Sequence, residues 1–237
     1  EYLLSQPLGN DEDILSILKF SYLIDKSFLG AGLRAFARYK PSFAAIYLNG
    51  LDGAEHHFWK FMAPEGFTGV TKKDAARYGD VIRNYYIYMD EVLGRLLEVY
   101  PLESSAVIVV SDHGHEPNTA HDPASSDHIN RVCSGTHEAA PDGILIMAGK
   151  DIEKGGDLSG ATVFDVTPTV LALLGSPVGV EMKGRVLTNA VAPAFLAAHP
   201  IRKVEGLIRR LDHSDAPIPS EMNDALKEKL KGLGYIE

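Results

Sequence analysis

Three short runs of uninterrupted apolar residues constrain this chain more than any other feature. Phe43-Ala44-Ala45-Ile46-Tyr47-Leu48, Ala106-Val107-Ile108-Val109-Val110 and Gly143-Ile144-Leu145-Ile146-Met147 are each of strand length and bounded by turn or polar residues. A strand that is apolar at consecutive positions leaves no face for water, so each run reads as a strand buried on both sides. Helical stripes lie among them. Ile14, Ile17, Leu18, Ile24, Phe28, Leu29, Leu33 and Phe36 recur mostly three, four or seven apart between Asp11 and Tyr39, interrupted by Gly30 and Gly32, which predicts one or two helices. A second stripe runs from Lys72 to Tyr100 through Tyr78, Ile82, Tyr85, Met89, Val92 and Leu96, and Pro101 ends it. Helices among fully apolar strands predict an α/β fold, with a largely parallel sheet covered by helices on both faces.

Later in the chain, Asp165-Val166-Thr167-Pro168 opens an apolar run that stops at Gly175, which predicts a short helix with Asp165 as N-cap and Gly175 as C-cap. Asp212 to Pro219 reads as a linker. Met222, Leu226, Leu230 and Leu233 then give a Lys/Glu-rich tail one docking stripe, so the division expected is 1–211 and 212–237.

Charge narrows the partners. The 237 residues carry a formal charge of −9 and no Lys/Arg run, which argues against a surface that tracks a phosphate backbone, because nonspecific nucleic-acid affinity needs clustered cations. No apolar run approaches the roughly 18 residues of a membrane span, and no basic start precedes a short apolar stretch as in a signal peptide. The single cysteine, Cys133, has no internal disulfide partner. Nothing in these residues names a compartment.

Three polar clusters stand at or near the ends of the predicted strands, where open α/β sheets bind ligands. Asp52 and His56, four apart in Leu51-Asp52-Gly53-Ala54-Glu55-His56-His57, share one face of a helical turn and can chelate a cation. Asp112 and His113 leave the second strand directly, in Ser111-Asp112-His113-Gly114-His115. His137, in Ser134-Gly135-Thr136-His137, precedes the third. Three imidazoles and two carboxylates at one edge suit a divalent cation, zinc above all, and the lack of a Cys cluster favours a catalytic over a structural centre.

These segments resemble the alkaline phosphatase superfamily, and within it the type I phosphodiesterase and nucleotide pyrophosphatase branch. The resemblance is carried by Tyr47 to Trp59, Val109 to Gly114, Gly135 to His137, and Phe164 to Gly175 continuing to Gly184-Arg185-Val186-Leu187, in the family's order, with a similar ending at Leu230 to Tyr235. It implies two zinc ions. Asp52, His56 and His137 match the ligands of one, and Asp112 with His113 match half the ligands of the other. It also implies a zinc-dependent hydrolase of phosphodiester or nucleotide pyrophosphate bonds acting on a small phosphate-ester substrate, with a Thr or Ser nucleophile.

The nucleophile and the remaining second-zinc Asp lie upstream of the Asp-x-x-x-His motif in the family. The 51 residues before Asp52 hold no Thr, and Ser5, Ser16, Ser21 and Ser27 lack a strand-end setting. Residue 1 is Glu, without a start signature. The expectation is therefore the carboxyl-terminal part of an alkaline-phosphatase-like core that lacks its amino-terminal part, binds a second ion poorly and is nearly inactive alone. Alternatives are a phosphomonoesterase, phosphonate hydrolase or phosphomutase of the same superfamily, or a non-catalytic metal-binding remnant. Around the clusters, His57 is read as pointing to another face, either toward solvent or in support of the ligands, Trp59 as core packing, and Cys133 as a small buried or loop residue. His115, His121, Asp122, Asp127 and His128 are polar loop residues without an assigned role.

Overall fold

The computed structural model describes residues 14–206. Ser5, the linker from Asp212, the tail helix, the Leu230 to Tyr235 ending and the boundary at 211/212 lie outside the described residues.

Helix α1, Ile14–Tyr39, is continuous through both glycines. Gly32 has a packing reason: a side chain there would crowd Ile46 Cδ1, so the glycine lets the following segment lie against the helix. Lys40 turns the chain out of α1 in the left-handed region (φ 44°), its N–H bonded to the Phe36 carbonyl, and Pro41 stops further helix. Helix α2, Gly50–Met62, lies at the centre of the helical layer, packed against α1, α3 (Lys72–Tyr78) and α4 (Val81–Val99). The stripe predicted from Lys72 to Tyr100 is thus two helices, divided at Gly79-Asp80. Buried Phe58, Phe61 and Ile82 form the core, with Ile14, Leu18, Trp59, Val70, Tyr78 and Val81 packed around it. Phe61 and Phe58 stand 5.1 and 6.1 Å from Tyr78 by ring centroid. Trp59 belongs to this packing.

The start of α2 is capped from another helix. Asn49, its N-cap, offers no side-chain bond. Instead Asp25 of α1, fully buried, accepts hydrogen bonds from Gly50 N (3.1 Å), Asn49 N (3.2 Å) and Tyr85 Oη (2.7 Å). Burial holds the Asp25 carboxyl above its ordinary range, against these three donors, which pull it down. Gly50 must lack a side chain because a Cβ there would overlap Tyr85 Oη.

Strand β1, Ala106–Val110, pairs antiparallel with β4, Leu145–Gly149, in the register Ala106↔Gly149 to Val110↔Leu145. The pairing continues outward through Ser111 N to the Ile144 carbonyl and a bridge between His113 and Asp142. Beyond it, β2 (Glu116–Pro117) pairs antiparallel with β3 (Gly135–Thr136). Residues 106–149 therefore form one long hairpin, and the chain at its far end carries the five-residue helix α5, His128–Val132.

This corrects the expected sheet in three respects. A parallel pair needs a crossover of a dozen or more residues, usually a helix, whereas here the chain folds back on itself and β1 and β4 must run antiparallel. The run Phe43 to Leu48 forms no strand: Ala44, Ile46 and Leu48 are half-buried while Phe43 and Tyr47 stay exposed. Apolar continuity there reports packing on α1, not strand pairing. Nor is the sheet covered on both faces, since Val110, Ile144 and Ile146 are each about half exposed.

After the hairpin comes α6, Val163–Leu173, followed by β5 (Val178–Gly179), α7 (Pro193–Ala198) and β6 (Lys203–Val204), the last pairing in parallel with β5. Asp165 is not the N-cap of α6. Thr162 holds that position, and Asp165 is the reciprocal residue of a capping box, its carboxylate accepting from Thr162 N at 2.9 Å and from Arg185 N at 2.7 Å. Burial pushes the Asp165 carboxyl up, but the Arg185 and Thr162 donors hold it below its ordinary range. No described helix is long and apolar enough to cross a membrane.

Candidate metal centre

Helix α2 and the long hairpin meet at a cluster of histidines. Asp52 and His56 lie on one face of α2, as the four-residue spacing predicts, with Asp52 Oδ1 3.5 Å from His56 Nε2. The hairpin is stitched to this helix by one backbone bond and two that use a side chain: Ser134 N donates to the His56 carbonyl at 2.7 Å, Lys60 N donates to Ser134 Oγ at 3.2 Å, and His56 Nδ1 donates to the Gly135 carbonyl at 2.9 Å. Ser134 is fully buried in this seam. Gly135 fits because a Cβ would overlap the Glu55 carbonyl oxygen.

With β3 fixed in this way, His137 follows directly and comes to face His113. Their rings stand 4.2 Å apart by centroid and 30° from parallel, and the His137 ring is 5.1 Å from that of His56. His113 Nδ1 donates to the Gly114 carbonyl at 3.0 Å. In both His56 and His113 one ring nitrogen is thus occupied by a carbonyl, which leaves the Nε2 lone pair for a ligand.

Two triplets could each hold one cation, with one donor atom per residue lying within 4.8 Å of the others: Asp52, His113 and His137, and Asp52, His56 and His115. The structure therefore brings four of the five sequence-selected residues together and distributes them differently, with His137 beside His113 and His115 in the triplet of Asp52 and His56. Asp112 belongs to neither triplet. Its side chain is 78% exposed, and its carboxylate oxygen is 3.7 Å from His113 Nε2.

His115, a polar loop residue by its sequence, joins the cluster in the structure. Its side chain is 2% exposed; Nδ1 lies 3.0 Å from Glu55 Oε2 and Nε2 lies 3.5 Å from Asp52 Oδ1. That Nε2 is buried and makes no hydrogen bond. A buried polar nitrogen without a partner is costly, and one aimed at a carboxylate among three other imidazoles fits a cation between them. The donor set, imidazole nitrogens and a carboxylate without thiolates, suits zinc and similar divalent ions.

The neighbouring polar residues have structural partners. His57 Nδ1 donates to the Val132 carbonyl at 3.3 Å, away from the cluster, and burial pushes its pKa down to about 4, so it is a neutral packing residue and not a solvent-facing one. His121 Nδ1 bonds the Asn130 carbonyl while its Nε2 meets Lys60 Nζ at 3.3 Å. Asp127 caps α5 through Asn130 N, Asp122 accepts from Ala124 N, and His128 pairs with Arg131. Cys133 is a free, half-buried thiol, pushed up to about 11 by burial.

Comparison with known proteins follows the same segments. Residues 9–158, which include Asp52, His56, Asp112, His113 and His137, match the model of the type I phosphodiesterase / nucleotide pyrophosphatase family, a family of the alkaline phosphatase superfamily. Curated relatives are 2,3-bisphosphoglycerate-independent phosphoglycerate mutases of the same superfamily. That of Shewanella sp. (strain W3-18-1) is 33% identical over 103 residues, 43% of this chain and 18% of the mutase. That of Shewanella halifaxensis is 33% identical over 99 residues, 41% of this chain and 17% of the mutase. That of Vibrio atlanticus is 29% identical over 103 residues, 43% and 18% of the two chains. The matched stretch is thus less than a fifth of each of these mutases. No solved structure matches the chain significantly.

Proposed function

The chain belongs to the type I phosphodiesterase / nucleotide pyrophosphatase family, and from that premise we propose that it carries the metal-binding part of a zinc-dependent hydrolase of phosphodiester or nucleotide pyrophosphate bonds. One observation carries the reading: Asp52, His56, His113 and His137, from three segments distant in sequence, converge with donor atoms close enough to share cations. By the family resemblance Asp52, His56 and His137 would hold one ion, whereas the present geometry groups His137 with Asp52 and His113 and sets His115 beside Asp52 and His56. Asp112 and His113 would contribute to a second, with the Asp112 side chain turning inward from its exposed position. Two such ions neutralise the charge of a phosphoryl group and stabilise the entering and leaving oxygens of an in-line displacement.

The protein's own contribution is placement. Helix α2 fixes Asp52 and His56 on one face, the Ser134 and Gly135 seam sets the distance to His137, and the Gly114 and Gly135 carbonyls set the tautomers of His113 and His56. In this reading the Thr or Ser nucleophile is not among the 237 residues. Ser16, Ser21 and Ser27 lie on α1, and the Ser27 hydroxyl is bonded to the Leu23 carbonyl.

A phosphomutase reading also has a specific observation behind it, the names of the curated relatives. Parallel assays with bis(p-nitrophenyl) phosphate, p-nitrophenyl phosphate and a phosphoglycerate separate the readings. A polypeptide that contains these residues together with a nucleophile is expected to prefer the diester, lose activity to chelator and recover it with zinc, while the 237 residues alone turn over slowly. Monoester preference or phosphoglycerate isomerisation would move the assignment to the other reaction types, and strong turnover by the 237 residues would overturn the missing nucleophile.

A further inference from the structure

We propose that His115 is itself a ligand of the cation held by Asp52 and His56, aimed at it by Glu55. The inference rests on the reading that a cation occupies this centre, and it adds a ligand and a positioning residue to that site.

Four observations carry it. A carboxylate only accepts hydrogen bonds, so the 3.0 Å contact with Glu55 Oε2 places the His115 proton on Nδ1 and leaves the Nε2 lone pair facing the cluster. That nitrogen is buried, makes no hydrogen bond and lies 3.5 Å from Asp52 Oδ1, equal to the separation of the same oxygen from His56 Nε2. Such a distance is long for an N–H···O bond, which prefers about 2.7–3.2 Å. Two donors on one tetrahedral zinc, at bond lengths of about 2.0–2.1 Å, stand roughly 3.4 Å apart. The spacing is therefore that of atoms sharing an ion.

Glu55 is positioned in turn. Its other oxygen accepts a hydrogen bond from Tyr86 Oη of α4 at 3.0 Å, and a phenol, with an ordinary pKa of about 10, is a donor at neutral pH. A carboxylate that accepts the far ring N–H of a metal-ligating histidine fixes its tautomer and orientation and raises its basicity. Asp52, Glu55 and His56 leave the same turns of α2, so one helix supplies two ligands and the group that aims the third.

The test is metal binding by the 237-residue chain. Zn2+ affinity is measured by competition with a chromogenic chelator, and the visible absorption of bound Co2+ reports ligand number and geometry. His115→Ala is expected to weaken Zn2+ binding by ~100-fold or more and to change the Co2+ spectrum, and Glu55→Gln to weaken binding by ~10–100-fold. His128→Ala, which removes an exposed histidine outside the cluster, should leave both unchanged. Wild-type affinity and spectrum in His115→Ala would overturn the assignment and leave the cation site standing. Failure of the wild-type chain to bind Zn2+ would overturn both. Should His115→Ala be unfolded in chelator, Glu55→Gln decides, because it preserves the side chain's size: unchanged affinity there overturns the proposal.

Discussion

Replacing Asp25 by alanine tests the way this fold places its candidate centre. The carboxylate accepts from three donors, two of them on residues almost fully buried, Gly50 N and Tyr85 Oη, while Asn49 N is only partly so. Each buried donor left unsatisfied costs about 1–3 kcal/mol, and the two buried ones set the scale. Relief of the carboxylate's own burial penalty offsets part of this, which leaves an expected loss of about 3 kcal/mol, a large share of the roughly 5–15 kcal/mol typical of a domain. Urea unfolding followed by circular dichroism measures it, with an unchanged m value showing that the unfolded state is the same. The loss also depends on pH. Because Asp25 titrates above its ordinary range when folded, the folded state holds a proton that the unfolded state has already released. Its contribution is complete below the ordinary carboxylate pKa of about 4 and declines as pH rises through the raised value, so the gap between wild type and Asp25→Ala narrows toward neutrality. A loss under about 1 kcal/mol, or a gap that widens with pH, would refute the account of Asp25 as a buried cap.

Three further outcomes are expected. Asp165→Ala should cost about 1–3 kcal/mol by thermal or urea unfolding, since it opens the capping box of α6 and strands Arg185 N; the contribution is present above the ordinary carboxylate range and lost as pH falls through the lowered folded value. Gly135→Ala should force β3 away from α2 and cost about 1–3 kcal/mol, with Zn2+ affinity falling as well, read by urea unfolding and chelator competition. Zn2+ at a hundredfold over its dissociation constant should stabilise the chain by about 2.7 kcal/mol, seen as a rise in melting temperature that chelator abolishes.

Side-chain periodicity made α4 legible, because Ile82, Tyr85 and Val92 are buried at predicted positions; on α1 the helix formed as expected, but of its predicted stripe only Leu29 is fully buried, Phe28 is exposed, and Ser16, Lys19 and Asp25 are buried instead. The sheet was less legible. An apolar run such as Phe43 to Leu48 states that water is excluded, not which backbone pairs with it, and Ile46 finds its partner at Gly32 of α1. Strand direction was set by what lies between Val110 and Leu145, where a fold-back replaces the crossover helix that a parallel pair requires. In the centre, the spacing of Asp52 and His56 placed both on one face, and the Asp112-His113 pair marked the hairpin. Nothing in the loop itself separates His115 from the other polar loop residues, His121 and His128, because only the fold-back of the hairpin brings it to Glu55 and Asp52. The signal lay on α2, where Glu55 follows Asp52 by three residues and so lies on the same side of the helix as Asp52 and His56, within reach of a histidine from the hairpin.

The bond from α1 to the first amides of α2 also ties two events in time. Asn49 and Gly50 exchange their amide hydrogens with water only when Asp25 lets go, and that opening frees the first turn of the helix, the turn that carries Asp52. A departure of α1, even a brief one, therefore loosens the turn that carries Asp52 without touching it, and the exchange rates of these two amides are a clock for how often that turn opens.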